Sequence, residues 1–283
     1  MTRSTVAELF DDRLCELGEG PLWHPERGEL FWFDILGRKL YAPGREWSFD
    51  TAHSAAGWID RETLLIASET ALWRFDIESG AREQVHELEA DHPVTRSNDG
   101  RADPHGGFWI GTMGWKAELG AGAIYRFYEG RLVKLYGGIT ISNSICFSPD
   151  GATAYFADTP TRRIMRQPLD EAGWPHGAPE VLVEVEGPGN PDGAICDGDG
   201  YVWSARWGSG EIVRHAPDGR VDHVERLPVP QVSCPALTPD GVLYATTARE
   251  GMDKAALDDA PLSGATFKVC DGVPGRAERA VNP

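Results

Sequence analysis

The chain has 283 residues, 41% of them hydrophobic and 25% charged, which is ordinary globular usage and excludes a disordered or fibrous polymer. Its 27 Lys and Arg stand against 44 Asp and Glu, a net charge of −17, the wrong sign for a nucleic-acid or anionic-membrane partner. No apolar run approaches the roughly 20 residues of a membrane span, and the opening MTRSTVAELFDDRLCEL has no signal-type apolar core. Cys15, Cys146, Cys196, Cys234 and Cys270 form no CxxC pair, so reduced, buried thiols and a cytoplasmic location are expected.

A turn followed by an aromatic-rich strand recurs along the chain. In order it reads HPERGELFWFDI (24–35), IDRETLLIASET (59–70), DPHGGFWIGTM (103–113), SPDGATAYFADT (148–159), DGDGYVWSARW (197–207) and TPDGVLYATTA (238–248). Six marks give about 47 residues per unit, the length of a four-stranded propeller blade. The unit from Asn98 divides into DGRADP, GFWIGT, AIYRFY and RLVKLY. That from Asn143 divides into NSICFS, TAYFAD, RIMRQP and EVLVEV, and that from Asp192 into GAICDG, YVWSAR, EIVRHAP and VDHVERLP. The runs of the Asn143 unit are β-branched and aromatic, separated by Pro149-Asp150-Gly151, Thr159-Pro160 and a Gly/Pro-rich loop, and read as four strands whose layout the other two units repeat, with period 2 rather than 3.6.

The last unit supplies only PALTPD, VLYATT and ATFKV, one strand short, while LCEL (14–17) has no blade of its own. Pairing the two chain ends would remove an open edge. The prediction is an all-β, six-bladed β-propeller with four antiparallel strands per blade, residues 1–283 forming one domain and an N-terminal strand closing the last blade. Trp32, Trp109 and Trp203 recur on second strands and are expected between blades.

In a propeller the first strand of each blade lines the central channel, so the residues entering those strands converge at one mouth. Counting seven back from each turn reaches Glu19, His53, Asn98, Asn143, Asp192 and Ser233. All six are polar, although apolar residues follow them. Two carboxylates and two amides offer hard oxygen donors for a divalent cation; without a metal, Glu19 and Asp192 would be a general acid and base. Over the same mouth, the His53 imidazole would meet hydroxyls of a bound molecule and Trp115, in a loop, would stack on its ring. Asp99 is expected to brace its loop through backbone N–H groups.

The segments LGEGPLWHP (17–25), RSNDGRADPHGGFWIGTM (96–113), SNSICFSPDGATAYFADT (142–159) and NPDGAICDGDGYVWSARWGSG (190–210) resemble, in order, the sugar-lactonase family that includes gluconolactonase, regucalcin and luciferin-regenerating enzyme. YATTARE (244–250) and PLSGATF (261–267) are similar to that family's closing segment. The resemblance implies a metal held by Glu19, Asn143 and Asp192, with Arg96 and Asn98 on the substrate. It further implies one divalent ion, calcium foremost, with zinc, manganese or iron(II) compatible with the donors.

Two positions depart from the family's pattern: Lys116 stands where regucalcin-like members have a substrate-facing glutamate, and Ser144 where glycine follows the ligand asparagine. The implied activity is hydrolysis of an aldonolactone of the glucono-, xylono- or arabinono-lactone type. The metal would polarise the carbonyl and Asp192 would assist the attacking water, in a monomer or small homo-oligomer. The alternatives are a paraoxonase-like esterase or phosphotriesterase, a non-catalytic calcium-binding propeller, and an interaction propeller of the WD type, whose Trp-Asp signature the repeats lack.

Overall fold

Turn triplets such as Pro149-Asp150-Gly151 cut the chain into strands of four to nine residues, too short to bury a face except against neighbours. In the computed structural model, which describes residues 7–283, these strands form six antiparallel sheets of four, set as blades around one axis. The innermost strands are Gly18–His24, His53–Asp60, Thr95–Ala102, Ser142–Phe147, Asn190–Cys196 and Val232–Leu237, belonging to blades 1 to 6. Each packs on the inner strands of both neighbouring blades. Trp32, Trp109 and Trp203 are buried in the apolar clusters between sheets, and the five cysteines are buried and unpaired.

The sixth blade is closed by an N-terminal strand, but a different one from that expected. Its order is Glu8–Asp11, Thr266–Cys270, Leu243–Thr247, Val232–Leu237, so ELFD fills the outer edge and LCEL does not. The reason is distance. Leu17 immediately precedes the inner strand of blade 1, whereas the vacant edge lies three strands out, roughly 14 Å at ordinary strand spacing. LCEL instead runs along blade 6 towards the axis, with Cys15 N–H donating to the Gly264 carbonyl at 2.9 Å and Leu17 bridging Ala248.

Among the described residues one short α-helix, Lys254–Asp259, lies between the blade 6 strands Leu243–Thr247 and Thr266–Cys270, and Asp253 caps it by accepting from Ala256 N–H. No helix is long and apolar enough to cross a membrane. His24 and His105 brace adjacent blades through the carbonyls of Asp60 and Gly151.

All six inner strands run away from the mouth at which they begin, and the C-terminal segment covers the other mouth. Val281 N–H donates to the Trp58 carbonyl, Asn282 N–H to Gly106, and the Gly198 N–H to Pro274. Beneath this strap Arg101 crosses the channel, donating to the carbonyls of Ile145, Ala194 and Pro235 on blades 4, 5 and 6 and pairing with Glu278. Both side chains are less than 10% exposed, so loss of one partner strands a buried charge. Glu278→Ala is expected to lower unfolding free energy by roughly 3–5 kcal/mol in urea denaturation, with the Arg101→Met/Glu278→Met double variant losing less. A single variant as stable as the parent would mean that the strap does not hold the channel shut through this pair.

Candidate functional site

Every inner strand contains a β-bulge near its start. The register slips by one residue between Glu19 and Leu22, His53 and Ala55, Ser97 and Gly100, Asn143 and Cys146, Pro191 and Ala194, and Val232 and Cys234. A bulge turns a side chain out of the pleat and is a common device beside active sites. Here the six bulges sit at one mouth, around a cavity of about 420 Å³, within the size range of small-molecule sites.

Glu19, Arg96, Asn98, Asn143, Asp192, Trp115 and Lys116 all line this cavity. Glu19, Asn143 and Asp192 come from blades 1, 4 and 5 and are nearly fully buried. Burial pushes the Glu19 carboxyl from its ordinary 4.5 up to about 8, with the Asp99 carboxylate adding to the rise. The Asp192 carboxyl is driven well above its ordinary value by burial and then by Glu19. Among the described residues, each accepts only from its neighbour's N–H group, Gly20 and Gly193. These are two carboxylates taken out of water with no cation bonded to them, an arrangement that favours protons or a metal ion.

The amides are oriented. Asn143 Nδ2 donates to Thr159 Oγ1 at 2.8 Å, and that hydroxyl donates to the Pro191 carbonyl at 2.9 Å. Asn143 Oδ1 is left with a single long contact, 3.4 Å, from Asn98 Nδ2. Asn98 Nδ2 donates to the Ser142 carbonyl at 2.8 Å, and Asn98 Oδ1 accepts from Arg96 Nη1 at 2.7 Å. Two buried carboxylates and one under-satisfied carbonyl oxygen are a donor set that fits a hard divalent cation. Among the described residues no three His, Cys, Asp or Glu side chains gather as a metal cluster, so a cation here depends on the asparagine.

Asp99 lies beneath the cavity and accepts from Ile145 N–H at 2.6 Å, the bracing role expected of it. Ser144 holds a left-handed φ of 58°, unusual for a residue with a side chain. Its hydroxyl donates to the Asp192 carbonyl at 2.6 Å, so it ties blade 4 to blade 5 where glycine could not. Trp115 forms the rim with the Arg96 guanidinium 5.7 Å from its ring, and Lys116 is exposed beside it.

His53 does not line this cavity. Its ring stacks on Phe49 at 4.1 Å, Nδ1 faces the Thr51 carbonyl, and Nε2 accepts from Arg82. Burial holds its pKa down to about 4. The blade 2 counterpart of the other mouth residues is Ser54, whose hydroxyl bonds Ser97 Oγ at 2.8 Å. The count of seven fails there because Asp60 still pairs with Thr63 and so precedes the turn, which starts the count one residue early.

Residues 17–249 match the model of the SMP-30/gluconolactonase/LRE-like region. The chain belongs to this family. It is 35% identical over 272 residues to the L-arabinolactonase of Azospirillum brasilense, covering 92% of this chain and 90% of that one. It is 34% identical over 273 residues to the 6-deoxy-6-sulfogluconolactonase of Pseudomonas putida, covering 93% and 94%. Among solved structures, a calcium-binding protein, regucalcin, from Agrobacterium tumefaciens superposes with a TM-score of 0.95 at 42% identity, covering 98% of both chains.

The cavity of this family member also contains Thr159, Asn190, Trp207 and Glu250, which strand-entry counting does not reach. A signal for three of them was present. Second strands run antiparallel to inner strands and return to the same mouth, so residues just after GFWIGTM, TAYFAD, YVWSAR and YATT face the cavity: Trp115, Thr159, Trp207 and Glu250.

The raised carboxyl pKa values give a pH signature. Folded Glu19 and Asp192 keep protons that the unfolded chain has lost, so cation-free protein is most stable below about pH 4.5 with respect to these groups and loses that stability as pH rises towards about 8. Thermal unfolding of chelator-treated protein should show this decline, Glu19→Gln should flatten it, and saturating calcium should remove it. A wild-type profile unaffected by either change would contradict the electrostatic description of the site.

Proposed function

We propose that this chain is a metal-dependent sugar lactonase, hydrolysing an aldonolactone to its aldonate with one divalent cation, calcium foremost, held by Glu19, Asn143 and Asp192. What carries the reading is the pairing of two buried, cation-seeking carboxylates with an oriented amide inside a sugar-sized cavity, in a family whose similar members are named for lactone hydrolysis. When bound, the cation supplies Lewis acidity towards the lactone carbonyl and stabilises the negative charge that grows on its oxygen.

The remaining work falls to side chains. Asp192, whose carboxyl is buried among negative charges, accepts the proton of the attacking water. The new C–O bond forms at the acyl carbon, the ring C–O bond breaks, and the ring oxygen takes a proton to become a hydroxyl. The acid product ionises, so each turnover releases one proton at neutral pH. Arg96 and Asn98, bonded to each other, form a fixed pair of donors for substrate oxygens. Trp115 offers an apolar ring face to sugar C–H groups, and Lys116 at the rim selects among lactones.

The test is hydrolysis of a panel of aldonolactones, followed by acidification with spontaneous hydrolysis subtracted, on protein stripped by chelator and resupplied with calcium, manganese, zinc or iron(II). Turnover restored by one cation is expected, and Asp192→Asn should lower kcat by roughly 10²–10⁴-fold with the far-UV circular dichroism unchanged. Cation binding without turnover would replace this reading with a non-catalytic propeller. Faster turnover of aryl esters than of any aldonolactone would replace it with an esterase.

A further inference from the structure

Glu250 is a cavity carboxylate for which the proposed reaction has no use. It follows the third-from-edge strand Leu243–Thr247 of blade 6, three blades around a six-membered ring from Arg96 on blade 3, so the two groups approach from opposite sides of the axis. Of the carboxylates acting on the Arg96 guanidinium, Glu250 acts most strongly, ahead of Glu19 and Asp192. Glu250 and Arg96 both line the cavity. Yet the two are not bonded: neither the Glu250 carboxyl nor the Arg96 guanidinium has the other as a hydrogen-bond partner.

The backbone under Glu250 is held firmly. Its carbonyl accepts from Gln231 Nε2 at 3.0 Å, Arg249 N–H donates to the Glu16 carbonyl, and Ala248 N–H to the Gln231 carbonyl. A half-buried carboxylate on a pinned loop, facing a polar cavity with its acceptor oxygens unused, is poised for an external donor. The cation proposed above satisfies Glu19 and Asp192 and leaves Glu250 alone. Sugar hydroxyls are the donors that the proposed substrate brings, and a carboxylate accepts two of them from a vicinal diol.

We propose that Glu250 is a specificity-determining residue that accepts hydrogen bonds from substrate hydroxyls opposite Arg96, selecting polyhydroxylated lactones over bare ones. The inference rests on the lactonase reading and adds to it the part of the substrate that is recognised. A role limited to balancing the charge of Arg96 would affect every lactone alike, whereas hydroxyl recognition affects only those that carry the hydroxyls.

The experiment compares Glu250→Ala and Glu250→Gln with the parent on an aldonolactone and on δ-valerolactone, which has the ester ring without hydroxyls, and measures sorbitol binding to the calcium-loaded proteins by calorimetry. Glu250→Ala should lower kcat/KM for the aldonolactone by roughly 10- to 100-fold, mainly through KM. It should leave δ-valerolactone within about threefold and weaken sorbitol by a similar tenfold or more. Glu250→Gln, which keeps one acceptor oxygen, should lose less. An equal loss on both lactones, or unchanged sorbitol affinity, overturns the proposal while leaving the lactonase reading intact. A parent protein that neither turns over lactone nor binds sorbitol overturns both.

Discussion

One extra residue in each inner strand underlies the whole mouth of this propeller. A bulge interrupts the ladder and leaves backbone groups without strand partners, and these need satisfaction because they are buried. The neighbouring blade supplies it. Ser97 bonds the Ala67 carbonyl, Asn98 bonds the Ser142 carbonyl, Asp99 takes Ile145 N–H, Ser144 bonds the Asp192 carbonyl, and Ser233 bonds the Gly18 carbonyl. Where blades 1 and 2 meet no side chain fits: a Cβ at Gly20 would lie 2.1 Å from the Ser54 carbonyl oxygen. The same feature that aims polar side chains at the axis thus stitches successive blades together, and stability and site geometry share one set of bonds.

The charges along the axis are layered. Glu19 and Asp192 lie at the cavity, Asp99 beneath them, Arg101 beneath that and Glu278 under the strap. Arg101 lowers the Asp99 carboxyl that burial alone would push higher; it still stands at about 6. Asp99 in turn raises both cavity carboxylates. A tail residue at one mouth is therefore linked, through two buried charges, to the electrostatics of the other. The strap is more than a cover, since Glu278 is the carboxylate bonded to Arg101 at the positive end of this column.

The repeat made the propeller and most of the cavity readable. Six turn-plus-strand marks imply six blades, and the position seven before each turn is polar because it falls at the bulge in five blades. Blade 2 broke the count because Asp60 pairs with Thr63 and stands on the strand before the turn rather than within it, which moved the reading from Ser54 to His53. No residue-type signal distinguishes those two, as both are polar and both are buried. The closing strand was misplaced because LCEL and ELFD are similar short apolar runs, and only the distance from the axis to the outer edge separates them. Glu250 was passed over for a different reason: counting from strand entries samples one side of each inner hairpin, and Glu250 stands on the returning side.

That asymmetry bears on how such a scaffold separates chemistry from recognition. The residues that suit a cation, on blades 1, 4 and 5, sit within the inner strands, where bulges and inter-blade bonds fix them and any change would disturb two blades. Trp115, Lys116 and Glu250 follow the second strands, in loops outside the sheet ladders, and Trp207 ends one of those strands. A substitution there alters the wall of the cavity at little cost to the ring. Lys116, at the position where the resemblance to regucalcin-like members implies a substrate-facing glutamate, and Glu250, the acceptor proposed above for substrate hydroxyls, both stand in such loops, on the blade 3 and blade 6 walls of the cavity.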